Sequence, residues 1–98
     1  MRLKAGHTLL NGATVLVSDE LRPIGDTGGV STIVLAQNPE TDEYATWVYI
    51  DPHKQGKRPY CVHGWYTSDI EEAFLDFVQR TKGLARFLRV ATERSYNS

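Results

Sequence analysis

The sequence is short of the features on which several classes of protein depend. It has a single cysteine, which excludes an internal disulfide and predicts a reducing, cytoplasmic location. No apolar run approaches the roughly 20 residues that span a bilayer, and the N-terminus lacks the apolar core of a signal peptide. The formal net charge of −1 argues against a general coat for nucleic acid. We therefore expect a cytoplasmic protein without a membrane-bound role.

Groups suited to catalysis or metal binding are also scarce. Cys61 and His63 are predicted to share one strand face, where a thiolate–imidazole pair or a shared metal is conceivable but two partly buried strand residues are the favoured interpretation. A zinc site needs three or four ligands, and the other histidines, His7 and His53, stand in no CxxC or HExxH frame. The glycine-rich segment 24–32 lacks the Gly-Lys-Ser/Thr ending of a phosphate-binding loop. We predict no catalytic residue, no metal and no cofactor, and hence no enzyme.

An amphipathic helix over residues 68–82 is the clearest positive feature. Ser68 and Glu71 have the spacing of a capping box, and Gly83 favours the left-handed conformation that ends a helix. Acidic residues lie in the first turn and basic residues in the last, as the helix dipole favours. Five apolar residues at helical spacing form a stripe that is predicted to cover a sheet: Ile70, Ala73, Phe74, Phe77 and Val78.

Upstream of this helix the apolar period changes from 3.6 to 2, which indicates β-strands. Four such segments are bounded by turn residues: 13–18, 29–37, 44–51 and 58–66. Segment 84–94 fits either a further helix or a further strand. The predicted fold class is α+β, an antiparallel meander of about four strands with helix 68–82 on one face. The chain is expected to form a single globular domain, 1–98.

Strand alternation sorts the side chains of this sheet into two faces. Val48, Ile50 and Val62 are assigned to the face beneath the helix, because aliphatic side chains pack well against phenylalanine. The opposite face then carries four large residues, namely Trp47, Tyr49, His63 and Trp65. So much aromatic surface is expected to be covered by a partner. A bulge near Gly64 would reverse the faces of the residues around it.

Three partners are candidates for this aromatic face. The chain's own N-terminal strand or its segment 84–95 would make the face a second core layer. Another protein chain, identical or different, would use the aromatic residues as the core of an interface. A nucleotide or single-stranded nucleic acid would stack on Trp47 and Trp65. Its phosphates would then meet the cations of the adjacent loop, Lys54, Lys57 and Arg58.

Part of the chain resembles a known pattern. The segments "EYATW" (43–47), "GWY" (64–66) and "SDIEEAFLDFVQR" (68–80) look like small phage- and plasmid-encoded proteins of unassigned function. In those proteins an aromatic strand pair precedes a helix with an acidic start. The resemblance, over about residues 43–82, implies a mobile-element or bacterial setting. It also implies binding of a host factor or sequestration of a signalling nucleotide, and it carries over no catalytic residue.

The functional interpretation follows from the aromatic face. We interpret the chain as a small non-enzymatic binding or regulatory protein that is homo-oligomeric or partner-bound through this face. Binding of a nucleotide or of single-stranded nucleic acid is the alternative hypothesis, because stacking and a basic loop would serve it.

Overall fold

The computed structural model describes residues 2–81, which form one antiparallel sheet and one helix. The strands are β1 (Thr14–Ser18), β2 (Arg22–Pro23), β3 (Val30–Asn38), β4 (Glu43–Asp51) and β5 (Tyr60–Thr67). The helix, α1, is described over residues 70–81. The order across the sheet is β1-β3-β4-β5, and the short β2 also pairs with β3. The predicted α+β class is confirmed, and the predicted segment 84–94 lies outside the described residues.

The central hairpin joins β3 to β4, which pair without interruption along nine positions. Its turn is built by Asn38, whose side-chain and main-chain oxygens each accept a hydrogen bond of 3.0 Å. The donors are the backbone amides of Glu40 and Asp42, respectively. Asp42 has a φ of 56°, a left-handed conformation that aspartate tolerates better than most residues. The turn segment that follows Asn38-Pro39 in the sequence is therefore the turn of a regular hairpin.

Helix α1 covers one face of the sheet. Its buried residues Ala73 and Phe77 pack with Leu35 of β3, and the half-buried side chains around them come from β1, β3, β4 and the helix. These are Leu16, Val17, Ile33, Tyr44 and Val78. No residue of β5 belongs to this cluster, so within residues 2–81 the apolar contacts of the helix are with β1, β3 and β4.

The N-terminal segment, residues 2–13, covers part of the other face. It runs beside β1, where Gly6 donates to the carbonyl of Val15 (2.7 Å) and Val15 donates to that of His7 (2.8 Å). Leu9 then enters a second apolar cluster, whose other buried members come from residues 13 to 49. These are Ala13, Val15, Val34, Ala36 and Tyr49. The chain therefore buries two apolar layers, one on each side of a single sheet.

The helix begins at a different residue from the predicted one. The N-cap is Asp69, whose carboxylate accepts a hydrogen bond of 2.8 Å from the amide of Glu71. Thr67 supports this cap, because its hydroxyl accepts from the Asp69 amide and donates to the carboxylate of Glu72 (3.1 Å each). The predicted capping box of Ser68 with Glu71 is therefore wrong by one residue.

The apolar stripe of the helix is also rotated from its predicted position. Ile70 and Phe74, which were expected to face the sheet, are 43% and 50% exposed. Ala73 and Phe77 are buried as predicted, but the sheet-facing row continues through the polar residues at 76 and 80. The rotation follows from polar contacts between this row and the sheet, which hydropathy alone does not reveal.

Candidate binding cleft

A bulge in β5 determines how the aromatic residues are arranged. The pairing of β4 with β5 is regular on both sides of Trp47, but two residues of β5, His63 and Gly64, stand opposite Trp47 alone. His63 has a φ of 54°, a conformation that residues with a side chain seldom adopt. One extra residue in a strand reverses the face to which every later side chain points.

Helix α1 holds the bulge in place. Arg80 donates from Nη1 to the carbonyl oxygen of His63 at 2.6 Å, and its Nε forms a 2.9 Å ion pair with Asp76. Asp76 in turn accepts a hydrogen bond from the hydroxyl of Thr46, a fully buried residue of β4. Arg80 and Asp76 thus connect the bulge carbonyl to Thr46 at the centre of the sheet.

Because of the bulge, Trp65 lies on the opposite face from the predicted one. Its partner in the register is Thr46, which binds the helix, so Trp65 lies on the helix side of β5. It is 38% exposed there, and no residue of β5 belongs to the apolar cluster beneath the helix. Tyr66 pairs with Ala45 and takes the predicted place of Trp65 beside Trp47.

Trp47 and Tyr66 form a bridge over Gly64. The indole Nε1–H of Trp47 donates to the hydroxyl oxygen of Tyr66 at 3.1 Å, and the rings meet edge to face at a centroid distance of 5.9 Å. A Cβ atom on residue 64 would lie 2.5 Å from both Nε1 of Trp47 and the Tyr66 hydroxyl. Only glycine leaves room for this bridge.

An open cleft of about 690 Å³ lies between the N-terminal segment and the aromatic side of β4 and β5. This volume falls within the range of about 300–1,000 Å³ that is usual for ligand sites. The N-terminal segment forms one wall through residues 7–11, and the sheet and its preceding loop form the other. The aromatic members of that wall are Trp47, Tyr49, Tyr60 and Tyr66, joined by Pro59 and Cys61.

The lining of the cleft is uncharged apart from the ionisable His7. Burial raises the pKa of the Cys61 thiol, which therefore stays protonated at neutral pH. Burial, with the nearby Asp51 carboxylate adding to it, raises the pKa of Tyr49 as well. A protonated thiol is a poor nucleophile, so Cys61 has the opposite character from an activated catalytic cysteine. The cleft suits a neutral, mainly apolar group.

The residues predicted for the aromatic face are thus separated by the structure. Tyr49 is buried at 7% exposure beneath the N-terminal segment, and Trp47 is half-buried in the same cluster. His63 is exposed within the bulge, and Trp65 lies across the sheet from Trp47. The chain's own N-terminus covers part of the predicted face, and Trp47 with Tyr49 remains at the cleft.

The predicted basic loop lies next to the cleft. Lys54, Lys57 and Arg58 are exposed, in a turn where the amide of Lys57 donates to the carbonyl of Lys54 at 3.0 Å. Gly56 allows this turn with a φ of 80°. The loop runs directly into Pro59 and Tyr60 at the cleft wall. In residues 2–81 the ion pairs of basic side chains involve Arg22, His53 and Arg80, so the three cations of the loop take part in none.

Two contributors to the cleft were missed from the sequence. The first contributor is Tyr66: uninterrupted alternation from Val62 would place it on the helix side, and the bulge at Gly64 reverses that placement. The second contributor is the turn around Leu10, whose side chain is 69% exposed at the cleft. The paired leucines in "TLLNG" were the available signal, because one faces the core while the other is left at the surface.

No protein-family model, curated protein or solved structure matches the chain. The resemblance of residues 43–82 to small phage- and plasmid-encoded proteins therefore stays a prediction. Within residues 2–81, no group of three histidine, cysteine or acidic side chains is placed to hold a metal ion. The helix of this same region is not long and apolar enough to cross a membrane.

Proposed function

We propose that the protein is a non-enzymatic binding protein that recognises another protein chain through the aromatic cleft. The observation that carries this proposal is an open cavity of about 690 Å³ with a mainly aromatic and aliphatic lining. The N-terminal segment forms a wall of this cavity without filling it. Aromatic residues are enriched at the cores of protein interfaces, where their large rigid rings supply contact area at low entropic cost.

The exposed part of the lining supports the same proposal. Tyr60 and Tyr66 are 50% and 54% exposed, and Leu10 is 69% exposed on the facing wall. All three residues line the cleft, Leu10 on one wall and the two tyrosines on the other, so an inserted apolar group would be desolvated on two sides. Such burial contributes roughly 25 cal/mol per Å² of apolar area removed from water.

The test is a selection of short peptides from a random display library on the immobilised full-length protein. We expect the selected peptides to share an aromatic or aliphatic residue that anchors them. The variant Leu10→Asp places a carboxylate in the uncharged cleft and is expected to weaken peptide binding at least about ten-fold. Leu75→Asp is the matched control, because Leu75 is 60% exposed on the helix and away from the cleft.

Peptide binding that Leu10→Asp leaves unchanged would contradict the proposal, as would the absence of any enriched peptide. Sedimentation of the protein alone over a range of concentrations shows whether the bound chain is a second copy. A concentration-dependent dimer that Leu10→Asp dissociates and Leu75→Asp preserves would identify the homo-oligomer.

Binding of a nucleotide or of single-stranded nucleic acid is the second candidate, and the position of the basic loop favours it. The loop of Lys54, Lys57 and Arg58 continues into Pro59 and Tyr60 at the cleft, so a base in the cleft would place phosphates near cations. The test is quenching of Trp47 fluorescence by oligonucleotides in a Trp65→Phe background. Quenching that is lost at high salt and in a triple Lys54/Lys57/Arg58→Ser variant would support this candidate.

A further inference from the structure

We infer that the partner in this cleft is an extended segment that adds a strand to the outer edge of β5, with which no strand pairs within residues 2–81, with an apolar side chain in the cleft and an acidic residue at the basic loop. This inference rests on the proposed function and specifies the partner. Addition of a strand to a sheet edge supplies affinity through main-chain hydrogen bonds, and pockets for side chains supply specificity.

Within residues 2–81 the two edges of the sheet differ in whether another segment pairs with them. At the β1 edge the N-terminal segment pairs with the strand, through the bridge of Thr8 with Thr14 and the hydrogen bonds of Val15 to Gly6 and His7. At the other edge β5 pairs with β4 on one side, and within residues 2–81 no strand pairs with its other side. An open edge presents backbone donors and acceptors to an incoming chain.

β5 also lacks most of the residues that protect an edge. Its sequence, YCVHGWYT, contains no lysine, arginine, aspartate, glutamate or proline. The bulge at His63 and Gly64 interrupts the strand and leaves one short regular stretch on each side of it. The stretch before the bulge, at Tyr60 and Cys61, borders the cleft directly, so the incoming segment pairs there.

The position of the cleft explains why this partner is recognised by its side chains as well as its backbone. Tyr60, Cys61 and Tyr66 of the edge strand all line the cavity, so a strand added beside β5 has the cavity next to it. Side chains on an added strand alternate between the two faces of the sheet. A residue on the cleft face is therefore directed towards the neutral lining, where an aromatic or aliphatic side chain fits.

The positive charge of the basic loop favours a partner segment that carries an acidic residue. Lys54, Lys57 and Arg58 are exposed just before β5 and take part in no ion pair within residues 2–81. An incoming strand that pairs near Tyr60 ends beside these cations. An acidic residue at that end of the segment complements them, which assists association and specifies how the segment is placed along β5.

The test uses a peptide selected on the full-length protein and a series of its analogues, each N-methylated at one backbone amide. A strand presents alternate amides to its neighbour, so N-methylation is expected to weaken binding at every second position by about ten-fold or more. At the intervening positions the loss is expected to stay within about two-fold. Hydrogen exchange of the full-length protein is expected to slow in β5 when the unmodified peptide binds.

Each outcome decides between the two proposals. If replacing the apolar anchor with alanine abolishes binding but N-methylation has no alternating effect, the strand proposal is overturned while the binding cleft stands. If no peptide binds, both fail. If the outer amides of β5 already exchange slowly in the free monomer, the chain's own residues close the edge and the strand proposal fails. If a second copy protects them in a dimer, the partner is the protein itself, and a foreign segment is excluded.

Discussion

Replacement of Gly64 by alanine tests the arrangement on which the cleft depends. A Cβ atom at this position would lie 2.5 Å from Trp47 Nε1, 2.5 Å from the Tyr66 hydroxyl and 2.8 Å from Trp47 Cδ1. Gly64 does not have the left-handed backbone that only glycine adopts readily, so alanine introduces no backbone strain. The expected effect is therefore purely steric, and it falls on the bridge between the two aromatic rings.

The magnitude follows from the contacts that must be lost. The hydrogen bond between Trp47 and Tyr66 contributes at the low end of about 0.5–1.5 kcal/mol because it is exposed. The edge-to-face ring contact contributes about 0.5–1.5 kcal/mol. Alanine offsets part of this by restricting the unfolded chain, which stabilises by about 0.4–1 kcal/mol. The net loss in the free energy of unfolding is then about 1 kcal/mol, or roughly 4–8 °C in Tm for a chain of this size.

The assay is thermal unfolding followed by circular dichroism, with the aromatic signal in the near ultraviolet reporting on the ring pair. The control repeats the substitution in a Trp47→Leu/Tyr66→Phe background, where the obstructing atoms are absent. In that background the effect of Gly64→Ala on the free energy of unfolding is expected to change sign, to a stabilisation of about 0.4–1 kcal/mol. A wild-type Tm for Gly64→Ala in the native background, with an unchanged aromatic signal, would refute the reasoning.

Three further predictions concern the helix and the thiol. Asp69→Ala removes the N-cap and should lower the free energy of unfolding in urea by about 1 kcal/mol, whereas Ser68→Ala should have little effect because Asp69 is the residue that caps the Glu71 amide. Arg80→Ala leaves the bulge carbonyl without its donor and should lower the free energy of unfolding by about 1 kcal/mol, because this hydrogen bond is exposed and water can replace it in part; Arg80→Lys should recover less than half of this loss, since lysine lacks the planar fork that makes both contacts, and full recovery would contradict that geometry. The pKa of the Cys61 thiol is raised in the folded protein, so the unfolded state loses its proton first, and the free energy of unfolding should fall as the pH rises above the ordinary thiol pKa of 9.0. Measured from pH 7 to 10, the free energy of unfolding of Cys61→Ala should fall less at the alkaline end than that of the wild type, and an equal fall in both would contradict the prediction.

The local elements could be predicted from the sequence because each carries its own signal. The turn at Asn38-Pro39, the alternating strands and the acid-initiated helix depend on contacts within a few residues, and local patterns report such contacts. Strand alternation also placed Tyr49 and Cys61 correctly on the same face, since the pairing before the bulge is regular. The cleft was harder to predict from the sequence, because its two walls come from residues 7–11 and from residues 47–66, which are far apart in the chain.

The sequence by itself determined the class of fold, the central hairpin and the presence of the helix, because turn residues and apolar periodicity are local properties of the chain. Tertiary structure alone decided which aromatic residues meet. Arg80 reaches across to the His63 carbonyl in a strand where one extra residue stands opposite Trp47, and beyond that bulge Tyr66 and Trp65 exchange faces. No local pattern specifies that exchange, because the contact that the bulge carbonyl makes is with a residue 17 positions away in the chain.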